Sequence, residues 1–173
     1  NTIKSIEIDR SKSILDEPDK GHNRWHPDIT PVLEVDPGEE VVLETRDASD
    51  GQTRPGSTVT DPAPTRMKVG HPLTGPVYVK GAEPGDLLEI EYVSITPQPY
   101  GFTRFSPGRG FLREVFTEPY LVHWATSAQL PGVRIPDGSF MGTAGLAPSR
   151  VQLQEWTRRE AELVARGGAA NLP

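Results

Sequence analysis

A mainly β fold, a β-sandwich of the jelly-roll or CUB-like type with one C-terminal helix at about 149–166, is what the sequence predicts, on three observations. Eighteen prolines and seventeen glycines are spread along 173 residues rather than gathered, and they cut the chain into short segments joined by turns. Several of those segments alternate apolar and polar residues at period two, as half-buried strands do. Only near the end does the period become that of a helix, behind a capping signal. At this length a domain buries roughly 70% of the surface its unfolded chain would expose, so a substantial core is expected. Residues 1–148 read as the sandwich portion and 149–173 as helix and tail.

The elements follow in chain order. "TIKSIEID" alternates as a strand and leads into a polar connection through Pro18 and Gly21. "PVLEVDPGEEVVLETRDA" places Val32, Leu33 and Val35 before a Pro37-Gly38 turn and Val41, Val42 and Leu43 after it, which predicts a strand pair. Residues 46–74 are polar and irregular, and loops of that length in compact domains are functional or mobile. "TGPVYVKGAEPGDLLEIEYVSI" (74–95) reads as strand, Pro84-Gly85 turn and strand, with Leu88, Ile90 and Tyr92 toward a core and Glu89 and Glu91 toward solvent. That alternation disfavours a metal cluster of Glu83, Asp86, Glu89 and Glu91. Lys80 precedes the turn and no helix follows it, so a Walker-type phosphate loop is excluded.

"VDPGEEVVLETRD" and "AEPGDLLEIEYVS" echo one another, an acidic-Pro-Gly-acidic turn leading into an alternating strand. Two copies are too few for a solenoid and fit one hairpin device used twice in a sandwich. The Gly- and Arg-rich "PQPYGFTRFSPGRGFLR", the apolar "YLVHWAT" and a turn-rich region at 130–149, where regular strands are hard to place, come next. Ser149 and Gln152 then form a capping box, Val151, Trp156 and Leu163 recur near helical spacing, and Gly167-Gly168 ends the helix.

Composition removes several function classes. The formal charge is −6 with both signs interspersed, so nothing supplies the basic stripe that nucleic acid requires. No window approaches the ~20 apolar residues of a spanning helix, and "NTIKSIEIDR" holds no signal-like apolar run, which predicts a cytoplasmic protein with no membrane partner. The absence of cysteine excludes disulfides, cysteine-ligated zinc and a thiol nucleophile from this chain.

Among residues that could carry chemistry, His22, His26 and Asp28 in "HNRWHPD" are spaced for a metal only on a helix, and Gly21 and Pro27 argue against one. A loop cluster packing Trp25 is the better reading. His123 in "YLVHWAT" reads as a satisfied core or interface histidine. Arg104, Arg109 and Arg113 near glycines offer an anion-holding concavity or, more simply, a flexible surface loop. Ser139 lacks a nucleophile elbow and a partner base. Asp47 ends a predicted strand at the mouth of the long loop, where an Asp also serves as an ordinary turn carboxylate.

"GHNRWHPDITPVLEVDPGEEVVLETRDASDGQ", "HPLTGPVYVKGAEPGDLLEIEYVSI" and "AGLAPS" together resemble the N-terminal half of the acetamidase/formamidase family of amide hydrolases. The resemblance covers about residues 20–150. It implies a β-sandwich-rich enzyme that hydrolyses small aliphatic amides to ammonia and a carboxylate, assembled as a homo-oligomer. It also implies a divalent metal, zinc or calcium, ligated mostly outside this chain.

By the resemblance, Asp47 matches an Asp that precedes a "GGQ"-like segment, here Asp50-Gly51-Gln52, and His71 stands where the family has His or Asn before "PLTGP". Asp47 and His71 are the implied catalytic residues, and Gln52 and Thr74 the implied substrate contacts. The family's "GGNHD"-like and "GDLHxxxGDGE"-like segments are not among these residues. The expected partner is therefore a second polypeptide or a C-terminal segment of the same enzyme. The competing reading is a non-catalytic β-sandwich module that binds a ligand or another chain.

Overall fold

The computed structural model describes residues 3–62, 70–108, 110–125 and 142–168. The chain forms two compact units. The first comprises Asn1–Asp50, Lys68–Leu88 and Thr143–Pro173, and the second Gly51–Met67 and Glu89–Gly142. The structure is mainly strands with one C-terminal helix.

In the first unit, strands β1 (Lys4–Ile6), β2 (Gly21–His22), β3 (Leu33–Val35), β4 (Val41–Leu43), β5 (Leu73–Thr74) and β6 (Val77–Val79) pair two by two. β1 runs parallel to β4 with Lys4 opposite Val41, and β3 runs parallel to β6 with Leu33 opposite Val77. β2 is antiparallel to β5, with Gly21 opposite Thr74. A Cβ at Gly21 would stand 2.3 Å from the Leu73 carbonyl oxygen, so only glycine allows the strands this close. Ile6, Ile14, Val35 and Pro148 are the buried apolar side chains among the described residues. The substantial core expected from length is thus not assembled by these residues alone.

The strand pair expected around Pro37-Gly38 is replaced by a different pairing. Both strands form, but β3 goes to β6 and β4 to β1. The turn explains it: Glu39 N–H donates to the Asp36 carbonyl (3.1 Å) with Gly38 at φ 85°, and proline ahead of a positive-φ glycine makes a type II turn. Two-residue hairpins need the primed turns, whose twist matches that of the strands, whereas type II splays them.

The second copy of the device is built alike. Asp86 N–H donates to the Glu83 carbonyl (3.0 Å), Gly85 has φ 109°, and Glu83 N–H donates to Asp86 Oδ2 as Asp36 N–H does to Glu39 Oε2. The echo is therefore a shared turn and not a shared hairpin. The strand expected after it does not form either: residues 87–95 carry no ladder, and Leu87, Ile90, Tyr92, Val93 and Ile95 are exposed. Glu89 and Glu91 do face solvent, but the face opposite them is uncovered as well.

Helix α1 (Arg150–Ala165) follows the capping box read from sequence. Ser149 Oγ accepts from Gln152 N–H, Gln152 Oε1 accepts from Ser149 N–H, and Gly167 at φ 83° lies just beyond the C-cap, Arg166. No helix among the described residues is long and apolar enough to cross a membrane.

In the second unit, β7 (Tyr100–Phe105) and β8 (Tyr120–Ala125) form an antiparallel ladder of six pairs. β8 is the apolar "YLVHWAT" segment. β7 lies in a stretch that reads as Gly- and Arg-rich, although Tyr100 and Phe102 stand two residues apart within it, as apolar residues of a strand do. Most of the turn-rich region at 130–149 lies outside the described residues.

Candidate functional site

The chain between β4 and β5 holds neither strand nor helix among its described residues, as its composition suggests, and its first part builds a tight turn. Asp47 heads it. Its Oδ1 accepts from Ser49 N–H (2.8 Å) and from the Ser49 hydroxyl, and its carbonyl accepts from Asp50 N–H (2.9 Å). This is the local bonding that an Asp at a turn readily makes. His71 reaches the same turn from the far end of the loop, its N–H donating to the Ala48 carbonyl at 3.0 Å. Residues distant in sequence are thereby joined by one backbone hydrogen bond, and both Asp47 and His71 are solvent-exposed. His71 has φ 55°, a left-handed conformation that is costly for a side chain of its kind.

Thr74 is set opposite Gly21 by the β2–β5 ladder. Its hydroxyl donates to the Glu44 carbonyl at 2.6 Å, and Glu44's carboxylate is held below the usual range by the Ile8 N–H at 2.9 Å. Gln52 falls in the second unit, half-buried after Gly51. Among the four residues implied by the resemblance, Asp47, His71 and Thr74 belong to the first unit, where one backbone bond ties His71 to Ala48, the neighbour of Asp47.

Behind the turn lies a network that sequence reasoning missed. The Arg46 side chain, 7% exposed, pairs with Glu17 Oε2 through Nη2 and faces Asp50 Oδ1 at 3.4 Å through Nη1. The same guanidinium donates to the Lys12 carbonyl (2.6 Å) and the Asp9 carbonyl (3.3 Å). Asp50 Oδ2 accepts from the Ser13 hydroxyl (2.7 Å) and Ile14 N–H (3.0 Å), and Glu17 Oε2 accepts from Asp9 N–H (3.0 Å). Removing one partner from such a buried ionic set typically costs about 3–5 kcal/mol, because a charge is left uncompensated. The signal available in sequence was Arg46 and Asp50 flanking Asp47. Nothing in it shows that residues 9–17 pack there.

The other candidates resolve as structural. His22 Nδ1 accepts from Arg24 N–H and His26 Nδ1 from Asp28 N–H, while Asp28 pairs with Arg150 at 2.6 Å. Trp25 packs over Gly145, where a Cβ would meet its ring at 2.9 Å. Among the described residues no three His, Asp or Glu side chains gather as metal ligands would, so these residues do not by themselves form a cation site.

In the second unit His123 is exposed rather than core. Its Nε2–H donates to the Ser57 carbonyl (2.8 Å), which in the neutral ring leaves Nδ1 to accept from the Tyr100 hydroxyl (2.9 Å). The pair borders an open pocket of about 260 Å³ lined also by Pro55, Pro99 and Trp124. Arg104 donates to the Asp61 carbonyl (2.7 Å), Arg113 is exposed, and Arg109 and Ser139 lie outside the described residues.

The chain belongs to the acetamidase/formamidase family, whose model matches residues 7–173. It is 36% identical over 91% of its length to an acetamidase of Mycolicibacterium smegmatis, of which it covers 44%, and 31% identical over 92% to a formamidase of Methylophilus methylotrophus, of which it covers 42%. A gamma lactamase from Delftia acidovorans superposes with a TM-score of 0.74 at 33% identity, over 98% of this chain and 46% of that one. An acetamidase from Bacillus halodurans gives 0.59 at 27% identity, over 68% and 40%. The chain spans less than half the length of the curated relatives it matches.

Proposed function

We propose that the chain is the N-terminal half of an enzyme that hydrolyses small aliphatic amides of the formamide and acetamide type, releasing ammonia and a carboxylate. The observation that supports this reading is the backbone bond from His71 N–H to the carbonyl of Ala48, the neighbour of Asp47, in a chain matched to the amidase family along nearly all its length. Amides are unreactive, so hydrolysis needs an activated water and stabilisation of the tetrahedral oxyanion. Asp47 is exposed and oriented by Ser49, and takes up the proton of the attacking water. His71 hydrogen-bonds the substrate amide, and Gln52 and Thr74 contact it.

The proposal includes a divalent cation, zinc or calcium, with most ligands outside these residues. It also includes a C-terminal segment or second polypeptide that completes a sandwich of the jelly-roll type, a homo-oligomeric assembly and a cytoplasmic location.

Asp47→Asn in the complete enzyme is expected to lower ammonia release from formamide at least about 100-fold, the scale of a lost general base. Unchanged release would overturn the role. The likeness to a gamma lactamase favours a second reading in which the amide is cyclic. Assaying a γ-lactam beside formamide and acetamide separates the two, since ring opening releases no ammonia.

A further inference from the structure

We propose that Asp50 is a positioning residue: its buried carboxylate, clamped by Ser13, Ile14 and Arg46, fixes the turn that presents Asp47 and His71 to the amide. The inference rests on the proposed function and assigns a task to charges that touch no substrate. Three observations support it.

Asp50 has φ 54°, a left-handed conformation that glycine adopts freely and that asparagine also tolerates. A turn in need only of that conformation would be served by either residue, without a buried charge. Secondly, the side chain is wholly buried, and its donors come from another part of the chain, the 3-10 turn Ile14–Asp16 and its cap Ser13. Two carboxylates, Glu17 and Asp50, share one guanidinium, and the excess negative charge is met by the Ile14 and Asp9 amides and the Ser13 hydroxyl. For stability alone an apolar cluster of similar volume serves as well or better. What the network adds is direction, because every bond in it has a defined geometry.

Thirdly, the backbone of the clamped turn is the backbone of the site. Asp50 N–H closes onto the Asp47 carbonyl, and the next carbonyl, of Ala48, receives His71 N–H. Displacing Asp50 therefore moves both candidate catalytic residues together. A misplacement of about 1 Å can cost roughly 100-fold in rate.

The test uses the complete enzyme and steady-state hydrolysis of formamide, measured per folded protein well below each variant's melting midpoint. Asp50→Gly keeps the backbone conformation and removes the clamp. Ser13→Ala removes one bond to Asp50 at a half-buried position and serves as the milder variant should Asp50→Gly fail to fold. The expected result is a kcat lowered about 10- to 100-fold in Asp50→Gly, and by a smaller factor in Ser13→Ala, with KM little changed, the pattern of an interaction realised in the transition state. Folded variants with the parent kcat, any lost activity tracking only the unfolded fraction, would overturn the inference. Asp47→Asn is run in parallel: an inactive Asp47→Asn beside a fully active Asp50→Gly removes this inference alone, whereas a fully active Asp47→Asn removes the site reading and this inference with it.

Discussion

A histidine at φ 55° costs about 1–2 kcal/mol relative to a right-handed conformation, and His71 is exposed, so little packing offsets that cost. His71→Gly is therefore expected to stabilise the fold by roughly 0.5–1 kcal/mol, after allowing for glycine's greater freedom when unfolded, and to weaken amide hydrolysis. Denaturant midpoints and ammonia release measured on the same preparations check both halves. A second histidine reports on pH. Burial pushes the His22 imidazole below its ordinary 6.5, so the unfolded chain binds more protons than the folded one between the lowered value and 6.5. Stability then rises with pH through that window and is lost as pH falls through it. Thermal midpoints of His22→Gln should show a shallower fall below pH 6.5 than those of the parent; equal slopes would contradict this. At this scale the sequence pointed to two exposed candidates and not to what holds them in place. Asp47 and His71 came from a motif, whereas the Glu17–Arg46–Asp50 contact depends on two segments meeting in space.

Helix α1 was legible because its signals are local: the Ser149/Gln152 capping box and the glycines at its end lie within the element they define. Ser149→Ala leaves amide donors at the helix start unpaired and is expected to cost about 1 kcal/mol, read as a lowered denaturant midpoint with unchanged slope. Strands were legible in part. β1, β3, β4 and β6 fall where alternation places them, but their partners do not, because alternation specifies a face and says nothing of the neighbour. The Pro-Gly turns invite a hairpin by proximity, and their type II geometry denies it. The 87–95 segment carries as good a pattern as any, yet no described strand pairs with it.

For the molecule as a whole, composition foretold short strands, and the resemblance foretold the family. Neither reveals the division into two units, since each unit is assembled from segments far apart in sequence. The apolar residues exposed along 87–95 and the few fully buried ones elsewhere belong together physically: a surface of that kind is ordinarily covered by another polypeptide.

The pairing of the strands also sets an order of events during synthesis. β2 and β3 find their partners only at residues 73–79, so in the growing chain both remain unpaired while some fifty further residues are added, roughly 3 to 10 s at ordinary elongation rates. Parallel pairing across such distances is slow in its own right. β2 and β3 therefore leave the ribosome with bare edges, and the yield in a cell depends on how well they are shielded until β5 and β6 arrive.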